Sequence, residues 1–149
     1  MKAALPQPIL LAICLGAALW LFQACSYKPA TGGAELRAKA EKGDAEAQFN
    51  LGKAYANITN DPKAHAEAVK WYRKAAEQGL ADAQMALWLM YGGGLSVPQN
   101  NAEAYKWLLL AEAQGHQLAK TSMPSFQAGL TALEKAEGQR LAREWKPRK

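Results

Sequence analysis

The sequence predicts an all-α fold, a short solenoid of stacked helix pairs closed by one C-terminal capping helix. Three observations predict it. Gly43, Gly79 and Gly115 stand 36 residues apart, and the residues between them repeat: Leu51, Tyr55, Pro62 and Trp71 return as Leu87, Tyr91, Pro98 and Trp107, and Ala47-Gln48 as Ala83-Gln84. Self-similarity at a period of a few tens of residues marks an array of supersecondary units, each burying its apolar face on its neighbours. Apolar residues also fall at helical spacing, and no stretch carries the alternation of a strand.

The elements follow in order. Residues 1–24 carry one charge, Lys2, and an apolar run over 9–22. That run is shorter than the roughly 20 residues a spanning helix needs and suits the core of a signal peptide. Residues 25–33, with Pro29 and Gly32-Gly33, suit a short tether. In each unit a first helix places Ala47, Leu51, Ala54 and Tyr55 on one stripe. A second helix, over 64–78, sets Ala64, Ala68, Trp71, Tyr72, Ala75 and Ala76 against a face of Lys70, Arg73, Lys74 and Glu77. Pro62 and Pro98 precede the second helices, where a loop or first turn tolerates proline, and Gly79 stands where a left-handed residue ends a helix. The second copy, over 102–114, is apolar on more than one side and therefore needs cover on more than one side. The C-terminal segment supplies it: Thr131 and Glu134 form a capping box opening a helix with Leu133, Ala136, Leu141 and Trp145, and Pro147 stops it. Pro124 implies a break near Met123.

Three stretches resemble the Sel-one-like repeats (SLR), relatives of the tetratricopeptide repeats: AEAQFNLGKAY at 45–55, AEAVKWYRKAAEQG at 66–79, and VPQNNAEAYKWLLLAEAQG at 97–115. The resemblance spans 34–120, with a half unit at 35–43, units at about 44–79 and 80–115, and a capping segment at 121–149. It implies a right-handed α–α superhelix acting as a protein–protein interaction scaffold. Two positions depart from it. Trp88 stands where the first unit has Gly52, and no cysteine sits in either repeat. The second departure separates the chain from the cysteine-rich branch linked to penicillin binding and β-lactamase action.

Leu21-Phe22-Gln23-Ala24-Cys25 resembles a bacterial lipobox. That resemblance implies cleavage before Cys25, lipid attachment to its thiol, and export. Ser26 replaces the aspartate typical of inner-membrane lipoproteins, which implies the outer membrane facing the periplasm. An uncleaved anchor and soluble secretion are the alternatives; Phe22 at −3 disfavours ordinary cleavage after Ala24. With Cys14 removed in the leader, Cys25 is the lone cysteine, and a disulfide within one mature chain is excluded.

Signals for chemistry are sparse. The two histidines, His65 and His116, form no ligand cluster: His65 and Glu67 face different ways, and His116 suits a surface turn. No S-x-x-K or H-E-x-x-H occurs, and Gly92-Gly93-Gly94 lacks the Lys-Ser/Thr of a phosphate loop. No catalytic residue, metal or cofactor is expected. The net charge of +5 is spread among both signs, which with export argues against nucleic acid as a partner. The expected function is a membrane-anchored adaptor for another protein or peptide. Phe49, Lys53, Met85, Trp88 and Leu89 on the first helices form the candidate partner-binding stripe. The alternatives are an envelope enzyme or ligand binder for cell-wall or β-lactam-like molecules, and a passive structural lipoprotein.

Overall fold

The computed structural model describes residues 31–58, 61–95 and 97–148. The chain divides into two compact units, Met1–Ala34 and Glu35–Lys149, and the helical array is the second. The expected leader, Cys25 and most of the tether lie outside the described residues. Among those described there are seven α-helices and no strand: α1 (Thr31–Glu41), α2 (Ala45–Ala56), α3 (Pro62–Glu77), α4 (Ala81–Gly93), α5 (Asn101–Ala113), α6 (Gln117–Ala128) and α7 (Ala132–Glu144). The tether expected over 25–33 is therefore too long, because α1 begins at Thr31. Gly32 and Gly33 are poor helix formers, but they fall in the first turn, whose N–H groups need no partner four residues back.

Side-chain caps start α2, α3 and α5. Asp44, Asp61 and Asn100 accept hydrogen bonds from the backbone N–H groups of Ala47, Lys63 and Glu103 at 2.7, 2.9 and 3.0 Å. Each satisfies an N–H that has no partner within its helix. The repeat glycines end the helices before them, with φ of 100° at Gly43, 95° at Gly79 and 81° at Gly115. A side chain at such angles would be strained.

Helix pairs α2/α3 and α4/α5 form the two units, and α3 packs on α4 to join them. Alanines occupy that junction: Ala68, Ala75, Ala76, Ala83 and Ala104 are all fully buried, framed by Tyr72, Leu87, Tyr91 and Trp107. A polar ladder fixes the register. Gln48 donates to the Ala40 carbonyl at 3.1 Å and accepts from Gln78 at 2.8 Å. One period on, Gln84 donates to the Ala76 carbonyl at 3.3 Å and accepts from Gln114 at 2.8 Å. Both Gln48 and Gln84 are buried, so each bond answers a group that would be costly to leave unpaired.

The array continues beyond the second unit. α6 begins two residues after Gly115, as α2 and α4 begin after Gly43 and Gly79, so it stands as a third first helix. It runs unbroken through Pro124, contrary to the expected break near Met123. Proline removes the bond to the Lys120 carbonyl, but Lys120 and Pro124 both face solvent, where water can replace it. Ala119 and Met123, both before Pro124, are buried and hold the helix against the array.

α7 does not complete that third pair. It packs along α5 and hardly meets α6. The approach is made by Gly138, where a Cβ would lie 2.8 Å from the Tyr105 ring and 2.9 Å from the Ala102 carbonyl oxygen. At its start, Thr131 and Glu134 complete the capping box, and Asn101 on α5 donates to Glu134 at 2.7 Å. The Glu134 carboxyl is held below the usual range, first by the Thr131 backbone N–H, then by its hydroxyl and by Asn101. Gly52 makes the corresponding close approach in the first unit, where a Cβ would lie 2.7 Å from the buried Tyr72 ring.

Forcing a methyl group into such contacts costs about 1–3 kcal/mol, against roughly 1 kcal/mol gained by alanine over glycine within a helix. Gly52→Ala and Gly138→Ala should therefore both lower the urea midpoint. Gly138→Ala should lower it more, because a backbone oxygen cannot swing aside.

A candidate binding surface on the first helices

The five stripe residues do not share one environment. Met85 is not part of an exposed stripe: at 4% exposure it is core, packed with Tyr105, Leu108, Ala111, Ala119, Met123 and Leu130. α6 covers it, a helix that no periodicity along residues 117–128 announces. Trp88 is half-buried under the same helix, with Phe126 edge-on to its ring at 5.7 Å. Its indole N–H is buried without a hydrogen-bond partner. Phe49 is half-buried against Tyr72, at 5.7 Å between ring centres.

Lys53 and Leu89 remain at the surface. The Lys53 ammonium lies 5.5 Å from the centre of the Phe49 ring, and Leu89 is 51% exposed. They hold the same register position on α2 and α4, and Ser125, also exposed, holds it on α6. The candidate surface is thus a line of three exposed positions on successive first helices, backed by half-buried Phe49 and Trp88. It offers one cation, one large aliphatic side chain and one hydroxyl, a set suited to contact and not to bond making.

His116 does more than occupy a turn. Its Nδ1 accepts from the Ala119 backbone N–H at 3.4 Å and caps α6, while Nε2 lies 3.0 Å from the Asp82 carboxylate. An accepting Nδ1 places the ring proton of the neutral form on Nε2, which donates to Asp82. The residue therefore ties α6 to the start of α4. Among the described residues, no group of three or more His, Cys, Asp or Glu side chains could hold a metal ion. No helix among them is long and apolar enough to cross a membrane.

With period, caps and packing established, comparison places the array. Residues 45–80 and 80–116 each match the Sel1 repeat family model. Two consecutive stretches of the chain are thus similar to the Sel1 repeat. A solved structure, that of a protective antigen present in uropathogenic Escherichia coli strains and displaying an SLR fold, aligns with a TM-score of 0.68 and 32% identity. The alignment covers 76% of this chain and 24% of that chain, so this chain spans about a quarter of that protein's length. A search of curated proteins gives no match. The architecture is an all-α, tetratricopeptide-like solenoid similar to that SLR fold, and Gly52, Tyr55, Trp71 and Gly79 lie inside the first matched repeat.

Core and surface in this stripe separate by substitution. Met85→Ala should cost about 2–5 kcal/mol as a buried truncation, whereas Leu89→Ala should stay within about 0.5 kcal/mol. Thermal unfolding followed by circular dichroism measures both.

Proposed function

We propose that this protein is an exported bacterial lipoprotein, anchored through Cys25 to the outer membrane and facing the periplasm, whose Sel1 repeats act as a protein–protein interaction adaptor. The observation that carries the adaptor reading is the repeat array itself. Its buried interior is filled with side chains, and its buried glutamines and capping side chains serve register and helix starts. What it offers a partner is surface.

Export and anchoring rest on the sequence: the short apolar leader, the lipobox at 21–25, and Cys25 as the lone cysteine left after cleavage. The similarity to a protective antigen fits a protein outside the cytoplasm. Several acyl chains, at about 0.8 kcal/mol per buried CH₂, would hold the chain durably to a bilayer. On the array, Lys53 and Leu89 are the exposed members of the stripe that a partner segment meets first, with Phe49 and Trp88 behind them.

Cells fed radiolabelled palmitate should label the wild-type chain and not Cys25→Ala; equal labelling would remove the anchor from this reading. For the adaptor, photoreactive residues at Lys53 and Leu89 in intact envelopes should give discrete protein adducts. Lys42 and Arg140, exposed elsewhere, should not. Adducts at none of these positions, or equally at all of them, would count against a specific partner on this stripe.

A further inference from the structure

A second surface lies away from that stripe. A cleft of about 570 Å³ opens between α3 and α5 and is walled by residues 145–148 beyond α7. Trp107 and Tyr91 line it from the repeats, and Trp145 from the C-terminal segment. That segment is fastened in place. The Arg148 N–H donates to the Glu77 carbonyl at 2.7 Å, its guanidinium meets the Glu77 carboxylate at 3.0 Å, and Trp145 packs beside Gly79.

The charges around the cleft do not cancel locally. Each of its three carboxylates already has a cation: Glu77 has Arg148, Glu103 has Lys106 at 2.9 Å, and Glu144 has Arg140 at 2.6 Å. Two cations are left over. Arg73 donates to the neutral Tyr91 hydroxyl and lies against the same ring, while Lys146 has no hydrogen-bond or ionic partner among the described residues. Beneath them, Trp107 is 2% exposed and its indole N–H lacks an acceptor. A cleft with unmatched cations favours an anionic occupant.

We propose that this cleft receives an acidic peptide segment of a partner protein, with Arg73 and Lys146 taking its carboxylates between the walls of Tyr91, Trp107 and Trp145. This rests on the adaptor reading and gives the partner a chemistry. Carboxylates distributed along a chain suit the site better than charge concentrated on one small anion, because Glu77 and Glu103 stand within it and would repel dense negative charge. Arg73 and Lys146 come from different elements, so they can engage carboxylates at separate points along an extended chain. The cleft volume lies within the range that encloses small ligands and short peptide stretches.

The test uses the full-length chain and a fluorescein-labelled hexaglutamate peptide blocked at both ends, followed by anisotropy at low salt. Saturable binding is expected, with hexaglutamine showing none. Combined Arg73→Ala and Lys146→Ala should weaken it about tenfold or more, with helicity unchanged and Leu118→Ala, at an exposed residue of α6, without effect. Lys146→Glu alone, on an exposed residue of the terminal segment, should also weaken it and guards against misfolding of the double variant. Unchanged affinity in these variants, equal binding of hexaglutamine, or displacement by equimolar inorganic phosphate would overturn the proposal. A chain that ignores hexaglutamate while Lys53 and Leu89 still give adducts overturns the cleft and leaves the adaptor reading standing.

Discussion

Close approach of helix backbones is the constraint on which the rest of this structure depends. The interface between units is built from alanines at Ala68, Ala75, Ala76, Ala83 and Ala104, which bury completely and add little bulk. The few large residues then have fixed places: Tyr72 against Gly52, Tyr105 against Gly138, and Trp107 behind the alanines. In a tightly packed interior each aromatic can lie close only where a neighbour has no side chain. Pairing of small with large residues therefore decides which helix faces which, and it does so twice with different partners. Gly52 joins the two helices of one unit, whereas Gly138 brings α7 onto α5.

That second use explains why the C-terminal part is not a regular third unit. α6 follows the repeat in position, but α7 follows the aromatic surface of α5, which the sequence shows to be apolar on more than one side. The result covers α5 and leaves the outer side of α6 exposed at Leu118. It also swings residues 145–148 back to the end of α3, so the terminal segment becomes a wall of the α3/α5 cleft. A departure from the repeat thus creates a polar concavity.

Much of the fold was legible in the sequence because its determinants are local. Gly43, Gly79 and Gly115 mark their turns by backbone conformation, and Thr131 with Glu134 marks a helix start by reciprocal capping. The surface was less legible, because exposure depends on what lies on top. Met85 and Leu89 sit one turn apart on α4, yet one is core and the other is open, since α6 covers only the first. α6 itself was obscured by its composition: only Ala119 and Met123 are buried, too few to announce a period, and Pro124 pointed the wrong way. The cleft was not legible at all. Stacking of the units brings Arg73, Tyr91 and Lys106 together, but Lys146 arrives by the path of α7, which no spacing along the chain records.

The glutamine ladder carries a further consequence. The rung positions are 42, 78 and 114 on one side and 48, 84 and 120 on the other, and glutamine fills them only where a partner exists. Lys42 and Lys120 occupy the two outermost positions and face solvent. Lys120 stands at the accepting position and has no acceptor, while Lys42, at the donating position, carries an ammonium that resists burial. The number of units locked in register is therefore written as a pair of terminators, in the way that end plates set the length of a stack. Lengthening the locked array would begin with those two lysines and not with the core.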